Sequence, residues 1–448
     1  MSWRGNMFKK STMAFAAAAL SLPCAAHAQS QDELQTLRDR VKQLEQRVDE
    51  AEQAAIQASN RPTAENALNP GVSAILNGVY SNLSQDPRSF RINGFVPTLG
   101  DVGPGVRGLS LGESELAFAA NIDQNFRGTL VASISPDDST IDVEEGYIQT
   151  LSLSKGFTVK AGRFFSAVGY QNQIHAHAWD FTDAPLASKV FLGNQLADDG
   201  VQLKWVAPTI TYFDLGVEVG RGKQFPAGSD RNKNGFSSSN FFTHVGGDLG
   251  TGVAWQTGLS YASTSPQDRS YGDVDSNRTA VTNSFTGDTG LWVLSGILKW
   301  APNYNPTSRS FKLQGEYFRR RENGNLTFDT SGAVGTQTGG YTSAQSGWYL
   351  QGVYQFIPMW RVGYRYDRLD AGTTSIGLVD SGALAAADFP VLARYNPTRQ
   401  TAMVDWSPSE FSRVRLQYAR DNSRSDATDN QVFLQYIVSM GAHGAHTF

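Results

Sequence analysis

Alternation of apolar and polar residues with a period of two recurs in about sixteen segments of this chain. In one of them Trp255, Leu259 and Tyr261 lie on one face, whereas Gln256 and Ser260 lie on the other. A period of two is that of a β-strand with one apolar and one polar side. A bilayer admits only helices and closed barrels, because every backbone polar group must be satisfied internally. The pattern therefore predicts an all-β transmembrane barrel of about 16 antiparallel strands.

The connectors between these segments alternate between short and long. In outer-membrane barrels the periplasmic turns are short and the outer loops are long, so the alternation also predicts an orientation. On that count residues 166–198 form the third outer loop. A soluble β-sandwich or propeller is the main alternative, but no repeated blade motif is present in the sequence. The short connectors are 121–124, 152–156, 207–209, 248–251, 301–307, 357–359 and 407–410, and the long ones include 222–240, 264–290, 322–345 and 371–394.

Residues 1–28 have the pattern of a cleaved signal peptide. Three basic residues precede a short apolar stretch at 13–22, and Ala26-His27-Ala28 forms a small-x-small cleavage site. About ten apolar residues are too few for the alternative, a membrane anchor. Cys24, the single cysteine, lies inside this segment. The mature chain is therefore predicted to lack disulfides, thiol catalysis and cysteine metal sites. Loss of Arg4, Lys9 and Lys10 changes the net charge from −4 to −7, which argues against a nucleic-acid partner.

Residues 29–58 predict a short periplasmic coiled-coil helix. Leu34, Val41 and Val48 fall at one heptad position, and Leu37 and Leu44 at the other core position. The simplest assembly for such a segment is a parallel trimer, and a lone amphipathic helix is the alternative. Residues 59–88, which include Pro62, Pro70 and Gly71, are predicted to be a linker, and residues 89–448 the barrel.

Several motifs together resemble the phosphate-selective porin superfamily. They are the heptad helix followed by Gly112-Glu113-Ser114-Glu115-Leu116, Val143-Glu144-Glu145-Gly146-Tyr147-Ile148 and Phe157-Thr158-Val159-Lys160-Ala161-Gly162-Arg163-Phe164. The stretches His175–Phe181 and Gly441–Phe448 are similar to a subgroup labelled zinc-regulated outer-membrane receptors. The resemblance implies a Gram-negative outer-membrane porin whose third loop folds into the lumen and narrows it. The closing strand with its terminal Phe448 resembles the signal that the barrel-assembly machinery recognises.

Charges along the predicted lumen allow two interpretations. The third loop carries Asp180, Asp183 and Lys189, and Glu113 and Glu115 are expected on the wall opposite a basic one. Opposed charges would set a field that orients dipolar solutes, or they would simply solvate the lumen and pair with each other. An acidic loop argues against phosphate specificity and favours cation tolerance or weak selectivity. The basic residues expected on the lumen face are Lys312, Arg320, Arg361, Arg365, Arg399, Arg413 and Arg415.

Two histidines of the third loop form a candidate metal site. His175 and His177 are two residues apart, so an extended loop would place both rings on one side, with Asp180 within reach. Imidazole and carboxylate are ligands of zinc, and a transient Zn²⁺ site is one interpretation. The alternative is that these histidines are hydrogen-bonding surface groups. No resident cofactor is predicted.

The sequence predicts a non-enzymatic porin for passive diffusion of small hydrophilic solutes or ions. A barrel-borne lipase or protease would need a histidine with a serine or aspartate on the outer, lipid-facing surface, and the sequence singles out no such set. Two alternatives remain at this point. One is a metal-linked uptake channel that uses His175 and His177, and the other is a structural tether of the envelope with a closed barrel. Lipid and two further copies of the chain are the other expected partners.

Overall fold

The structure, a computed structural model, describes residues 71–98, 102–134, 140–228, 234–302 and 305–441. The predicted signal peptide, the predicted coiled coil at 29–58 and the terminal Phe448 lie outside these ranges. All the described residues belong to one compact unit, Asn66–Phe448. Within them no helix is both long and apolar enough to cross a membrane.

Eighteen strand segments form one antiparallel sheet. Segments β2 and β3 both pair with β1, and β10 and β11 both pair with β12, so each of these two pairs acts as a single interrupted barrel strand. Sixteen strand positions result, as the alternation predicted. The segments are β1 Gly71–Leu83, β2 Gly108–Leu111, β3 Ser114–Asn121, β4 Phe126–Ile134, β5 Ile141–Thr150, β6 Phe157–Phe165, β7 Ala197–Val206, β8 Tyr212–Gly220, β9 Ser238–Leu249, β10 Val253–Thr264, β11 Arg269–Val274, β12 Ala280–Trp300, β13 Ser310–Phe328, β14 Gln337–Ile357, β15 Trp360–Ile376, β16 Thr398–Ser409, β17 Ser412–Asn422 and β18 Asp429–Gly441.

The first strand closes the barrel against the last. β1 pairs with β18 from Ser73 opposite Gly441 to Leu83 opposite Gln431. The prediction that residues 59–88 are a linker and that the barrel begins at 89 is therefore wrong for Gly71–Leu83. Its inward positions include apolar Ile75 as well as polar Asn77 and Ser81. The sequence therefore lacks the regular apolar–polar alternation by which the other strands were predicted. Closure leaves no open sheet edge, as a spanning sheet requires.

The outer surface of the barrel is apolar and the inner surface is polar. On β18, Leu434 and Tyr436 are 47% and 50% exposed, whereas the alternate residues Gln431 and Gln435 are 0% and 2% exposed. The same alternation recurs on β13 to β17, where exposed tryptophans, tyrosines and leucines face outward. A soluble protein rarely exposes so continuous an apolar surface, and a lipid-facing wall requires one.

The barrel has a turn end and a loop end. Both chain ends of the closed sheet and the short connectors, such as 358–359 between β14 and β15, lie at the turn end. The prediction of long connectors at 264–290 and 322–345 is wrong. They are mostly strand, because β11 and β12 are joined by residues 275–279 and β13 and β14 by residues 329–336. Their polar sequence reflects strands of up to 21 residues that extend past the roughly 9–11 residues needed to cross a bilayer.

Three loops from the loop end fold into the lumen. Phe95 of loop 84–107 packs with Leu186 and Phe191 of loop 166–196 against the inward-facing Phe318 and Tyr349 of the wall. A second apolar cluster joins the tip of loop 84–107 to loop 377–397 and to the inner face of β11–β14. The loops contain two helices, α1 Leu186–Leu192 and α2 Gly377–Asp380, and the 3-10 turns Pro87–Ser89, Gln171–Gln173, Ala176–Ala178, Ala386–Asp388 and Pro390–Leu392.

Candidate functional site

Residues 166–196, here called loop L3, run through the lumen between β6 and β7. Every residue of helix α1 is buried, and the helix packs on β13, β14 and β15. The helix ends at Gly193, whose positive φ of 66° is the left-handed conformation that glycine adopts most readily. Three aromatic residues of this loop, Trp179, Phe181 and Phe191, are buried. The loop is therefore an internal element of the barrel.

The acidic residues of L3 lie directly against the basic residues of the wall. Asp180 Oδ2 lies 2.6 Å from Lys312 Nζ, and its Oδ1 lies 3.5 Å from Arg361. Asp183 accepts hydrogen bonds from Arg365 at 3.0 Å and from Arg399, and pairs with Lys189 at 3.2 Å. The basic residues of β13–β17 that face the lumen are here called the basic ladder, and they are Lys312, Arg320, Arg361, Arg365, Arg399, Arg413 and Arg415.

The rest of the basic ladder binds the backbone of L3. Arg413 and Arg415 donate to the carbonyl of Trp179 at 3.3 and 2.9 Å, and Arg320 donates to the carbonyl of Val190 at 3.3 Å. Of the two interpretations of the lumen charges, a field between the loop acids and the basic wall is wrong. The loop lies in contact with that wall, so the charges neutralise each other in ion pairs.

The pKa values of the two loop aspartates reflect this arrangement. Burial alone would raise the pKa of Asp183, but Arg399, Lys189 and Arg365 hold it well below its ordinary value. Burial also opposes ionisation of Asp180, yet Lys312 and Arg361 lower its pKa to about 2. Both carboxylates are therefore ionised at neutral pH, and the loop is tied to the wall by full charges.

Three wall carboxylates that the sequence analysis did not assign to the site hold the backbone of L3. Glu218 accepts from the Ala167 amide at 2.9 Å, Glu316 from the Tyr170 amide at 2.6 Å, and Asp367 from the Leu186 amide at 2.9 Å. The only sequence signal for them is an acidic residue at an inward position of a strand. Their partners are backbone amides, which carry no sequence signature.

Two histidines of L3 contact glutamates on the wall opposite the basic ladder. His175 Nδ1 lies 3.3 Å from Glu115 and 3.4 Å from Glu144, and its Nε2 lies 3.1 Å from Glu145. His177 Nδ1 lies 2.7 Å from the other oxygen of Glu115. The rings of the two histidines stack with centroids 5.7 Å apart, although the segment is a 3-10 turn and not the extended loop that was expected. These five residues are here called the histidine–glutamate cluster.

A β-bulge brings both glutamates of β5 to His175. Val131 of β4 pairs with Glu145 and the next residue, Ala132, pairs with Val143, so Glu144 is the extra residue of the bulge. Regular alternation would place only one of the two on the inner face. Burial alone would lower the pKa of His175, but the three carboxylates outweigh burial and raise it well above its ordinary value.

The predicted ligand set for a metal is partly wrong. Asp180 binds Lys312 and Arg361 of the basic ladder, whereas the carboxylates near His175 are Glu115 and Glu144. Ligand atoms of Glu115, Glu144 and His175 all lie within 4.8 Å of one another. The error arose because Asp180 is close to His175 and His177 in sequence but faces the basic ladder, whereas both histidines face Glu115.

An open cavity of about 390 Å³, here called the outer cavity, lies between L3 and the loop end of β5–β7. Glu113, Asp142, Glu144, Asp198 and Asp199 contribute acidic groups to it. The basic groups in its lining are Arg163, which pairs with Asp199 at 2.7 Å, and Lys223. Carboxylates therefore outnumber cationic groups five to two. The cavity shares Glu144 with the histidine–glutamate cluster.

Exposure of the inward-facing residues differs around the barrel. On β13–β17, Arg320 is 0% exposed and Arg365, Arg399 and Arg415 are each 1% exposed, because the loops cover them. On β5–β7 the inward-facing Tyr147, Gln149, Lys160 and Lys204 stay partly accessible, and the Lys204 side chain is 32% exposed. The space left in the lumen therefore lies on the β5–β7 side, below the outer cavity.

Comparisons with known proteins agree with this fold. No protein-family model matches the chain. The fold resembles that of a loop L8 deletion mutant of OmpT, an outer membrane protein of Vibrio cholerae, with a TM-score of 0.51 and 11% identity over 83% of this chain and 99% of that chain. It also resembles an anion-selective porin from Comamonas acidovorans, with a TM-score of 0.50 and 10% identity over the same shares.

One relative is similar in sequence. Over 361 residues, which are 76% of this chain and 70% of the relative, the chain is 31% identical to an uncharacterized protein of Aquifex aeolicus. The structural likenesses show a porin-like fold at low identity, and the sequence likeness shows common descent. The chain belongs to the family of this Aquifex aeolicus protein, and its fold is a sixteen-stranded porin-like barrel.

Proposed function

We propose that the protein is an outer-membrane porin through which small hydrophilic solutes or ions diffuse along one side of the lumen. One observation carries this proposal. The inward-facing Lys160 and Lys204 on β6 and β7 stay partly accessible, whereas the inward-facing arginines of β13–β17 near the loop end are covered by loops. Nearer the turn end, the Lys312 and Arg361 side chains keep 24% and 22% exposure. A solute path of this kind is narrower than the whole barrel and is bounded by L3. In this orientation the turn end faces the periplasm and the loop end faces the medium.

Charge along this path favours weak cation preference. The outer cavity has an excess of carboxylates, and a cavity lined by one sign of charge raises the local concentration of the opposite ion. Deeper in the path, Lys160 adds a positive charge, whereas Lys204 is paired with Asp214 at 2.8 Å. The acidic residues of L3 itself do not contribute, since the basic ladder neutralises them. Phosphate selectivity has no support from this arrangement.

A closed barrel with a structural role is the second candidate. It is favoured by the apolar cluster inside the lumen, where Phe95, Phe191, Phe318 and Tyr349 pack as in a protein core. A core of this kind excludes water from the part of the lumen that it fills. The two candidates differ in whether the β5–β7 side of the lumen is open to water or sealed.

Single-channel recording separates the two candidates. The purified protein is reconstituted into a planar bilayer in 1 M KCl (~3 Å Debye length), and steps of current are measured over a range of voltages. Stepwise openings with ohmic conductance support the porin, and the covered lumen predicts conductance below that of a general porin. A correctly folded protein that gives no current in repeated insertions would overturn the porin proposal and favour the closed barrel.

The remaining expectations complete the proposal. Export through a cleaved signal peptide at 1–28, assembly through the terminal Phe448 and trimer formation through the heptads at 29–58 are consistent with an outer-membrane barrel. Membership in the zinc-regulated subgroup of the phosphate-selective porin superfamily is also a proposal. Crosslinking of the protein in native membranes, with and without residues 29–58, tests the trimer, since loss of the crosslinked species only in the shortened chain is expected.

A further inference from the structure

We propose that Glu115, Glu144 and His175 form a binding site for one divalent transition-metal ion of the zinc class, reached through the outer cavity. This inference goes beyond diffusion through the lumen, because it assigns a specific ligand to the histidine–glutamate cluster.

Distances in the cluster suit such an ion. His175 Nδ1 lies 3.3 Å from Glu115 Oε2 and 3.4 Å from Glu144 Oε2. Zinc binds nitrogen and oxygen ligands at roughly 2.0–2.2 Å, so neighbouring ligand atoms of a tetrahedral site are about 3.4 Å apart. The two glutamate oxygens, which lie within 4.8 Å of each other, need only a small approach to complete the set.

The hydrogen bonding of His175 is that of a metal ligand. Its Nε2 pairs with Glu145 at 3.1 Å, while its buried Nδ1 lies 3.3–3.4 Å from two carboxylates without a well-aligned hydrogen bond to any described residue. Among the described residues Glu144 Oε2 is likewise buried without such a bond. Metal-binding histidines typically hold their second nitrogen on a carboxylate, which fixes the ring and the tautomer. Glu145 has this position here.

His177 and the cavity complete the environment. His177 Nδ1 contacts Glu115 Oε1 at 2.7 Å and so orients the carboxylate whose other oxygen faces His175. Glu144 lines the outer cavity, which provides an entry path and room for water at the open coordination position. A mixed nitrogen and oxygen set favours zinc, cobalt or nickel over calcium, which prefers oxygen ligands alone.

Charge balance favours a divalent ion. Three carboxylates, of Glu115, Glu144 and Glu145, approach one imidazole within 3.4 Å. A single proton on His175 offsets one of these charges, whereas a dication offsets two. Partly buried carboxylates without a counter-charge are costly, and metal binding removes part of that cost.

The test uses the full-length protein without a histidine tag. Zn²⁺ binding is measured by titration calorimetry, and Co²⁺ is added as a visible-absorption probe of its ligands. We expect one equivalent of Zn²⁺, a Co²⁺ d–d band, and no calorimetric signal with Ca²⁺ at the same concentration. E144Q and H175A should raise the Kd at least about tenfold and remove the band, and E145Q should raise the Kd about 10–100-fold.

The matched control is D426N, which removes the charge of a carboxylate that is 61% exposed and lies outside both the outer cavity and the ligand set, and it should keep the Kd of the unchanged protein. Heat-modifiable migration on gels checks folding, and E144Q preserves side-chain volume should H175A fail to fold. Zn²⁺ affinity that is equal in the unchanged protein, E144Q and H175A would overturn the site. Calorimetry needs no open channel, so a silent barrel in the bilayer leaves this test intact.

Discussion

Arg365 donates a hydrogen bond to the Asp183 carboxylate over 3.0 Å, although the two residues are 182 positions apart in the chain. This contact joins the middle of L3 to strand β15, and Arg399 and Lys189 meet the same carboxylate. One aspartate therefore contacts three buried cationic groups, two of which also pair with Asp367 or Asp421. The position of L3, and with it the width of the lumen, depends on this cluster.

Replacing Asp183 with Asn should destabilise the barrel and loosen L3. Removal of one partner from a buried ion pair typically costs about 3–5 kcal/mol, because the remaining charges stay buried without compensation. The free energy of unfolding in detergent and urea measures this cost. As a control, Asp86→Asn removes a carboxylate whose partner is the exposed Arg88, and should leave the unfolding midpoint unchanged. Equal midpoints for both variants would contradict the role of Asp183.

Stability should fall in acid only at unusually low pH. The folded pKa of Asp180 is about 2 and that of Asp183 is well below its ordinary value of 3.8. Because these pKa values are lowered on folding, the unfolded chain binds protons first as the pH drops. The stability that these groups contribute is therefore complete above about pH 4 and is lost as the pH falls toward 2.

Thermal melting of the folded protein between pH 6 and pH 2 measures this dependence. Below pH 4 the melting temperature should fall more steeply in the unchanged protein than in Asp183→Asn, because the variant already lacks one of the two carboxylates. A parallel decline in both proteins would show that other groups control acid unfolding.

The apolar contacts of helix α1 should contribute about as much to the free energy of unfolding as the ion pairs of Asp183. Phe191 is 0% exposed and its ring lies 5.9 Å from that of Phe95 and 5.8 Å from that of Phe318. Phe191→Ala should cost about 3–5 kcal/mol of unfolding free energy and raise single-channel conductance, because it leaves a cavity in the lumen. Phe236→Ala, at a loop residue that is 67% exposed, is the control and should change neither quantity.

Ion selectivity should respond to the charge of the outer cavity. Asp142→Lys changes the charge of its lining by two units. At ~8 Å in water this shifts the energy of a monovalent cation by ~1 kcal/mol before salt screening, so the cation-to-anion permeability ratio should fall by about twofold or more. The reversal potential in a KCl gradient measures the ratio. Asp426→Lys, on the exposed loop 423–428, should leave it unchanged.

Alternation was sufficient to predict the barrel, its strand number and the inward direction of the basic ladder. Period two assigns each residue of a strand to a face, so Arg365, Arg399 and Arg415 could be placed without a structure. Alternation did not predict those strands whose residues do not alternate between apolar and polar. The inward residues of β1 are partly apolar, since Ile75 and Leu83 are buried, and the long hairpins of β11–β14 are too polar to resemble membrane strands.

The site was predictable only in part, because its contacts join distant segments. The residue types were visible in the sequence, but the partner of each was not. His175 was expected near Asp180, five residues away, and instead meets Glu115, Glu144 and Glu145 across the lumen. The bulge that brings two adjacent glutamates to one ring depends on the pairing of β4 with β5, which no local pattern specifies.

Because the strands differ in length, the wall of the barrel is taller on one side than on the other. Strands β12 and β14 have 21 residues each, whereas β5 and β7 have 10 each. At roughly 3.3 Å per residue, one side of the wall is about twice as tall as the other. The outer cavity lies at the short side, so the rim is notched where a solute enters. Small molecules reach the notch from the side, while bulky ones meet the tall hairpins first.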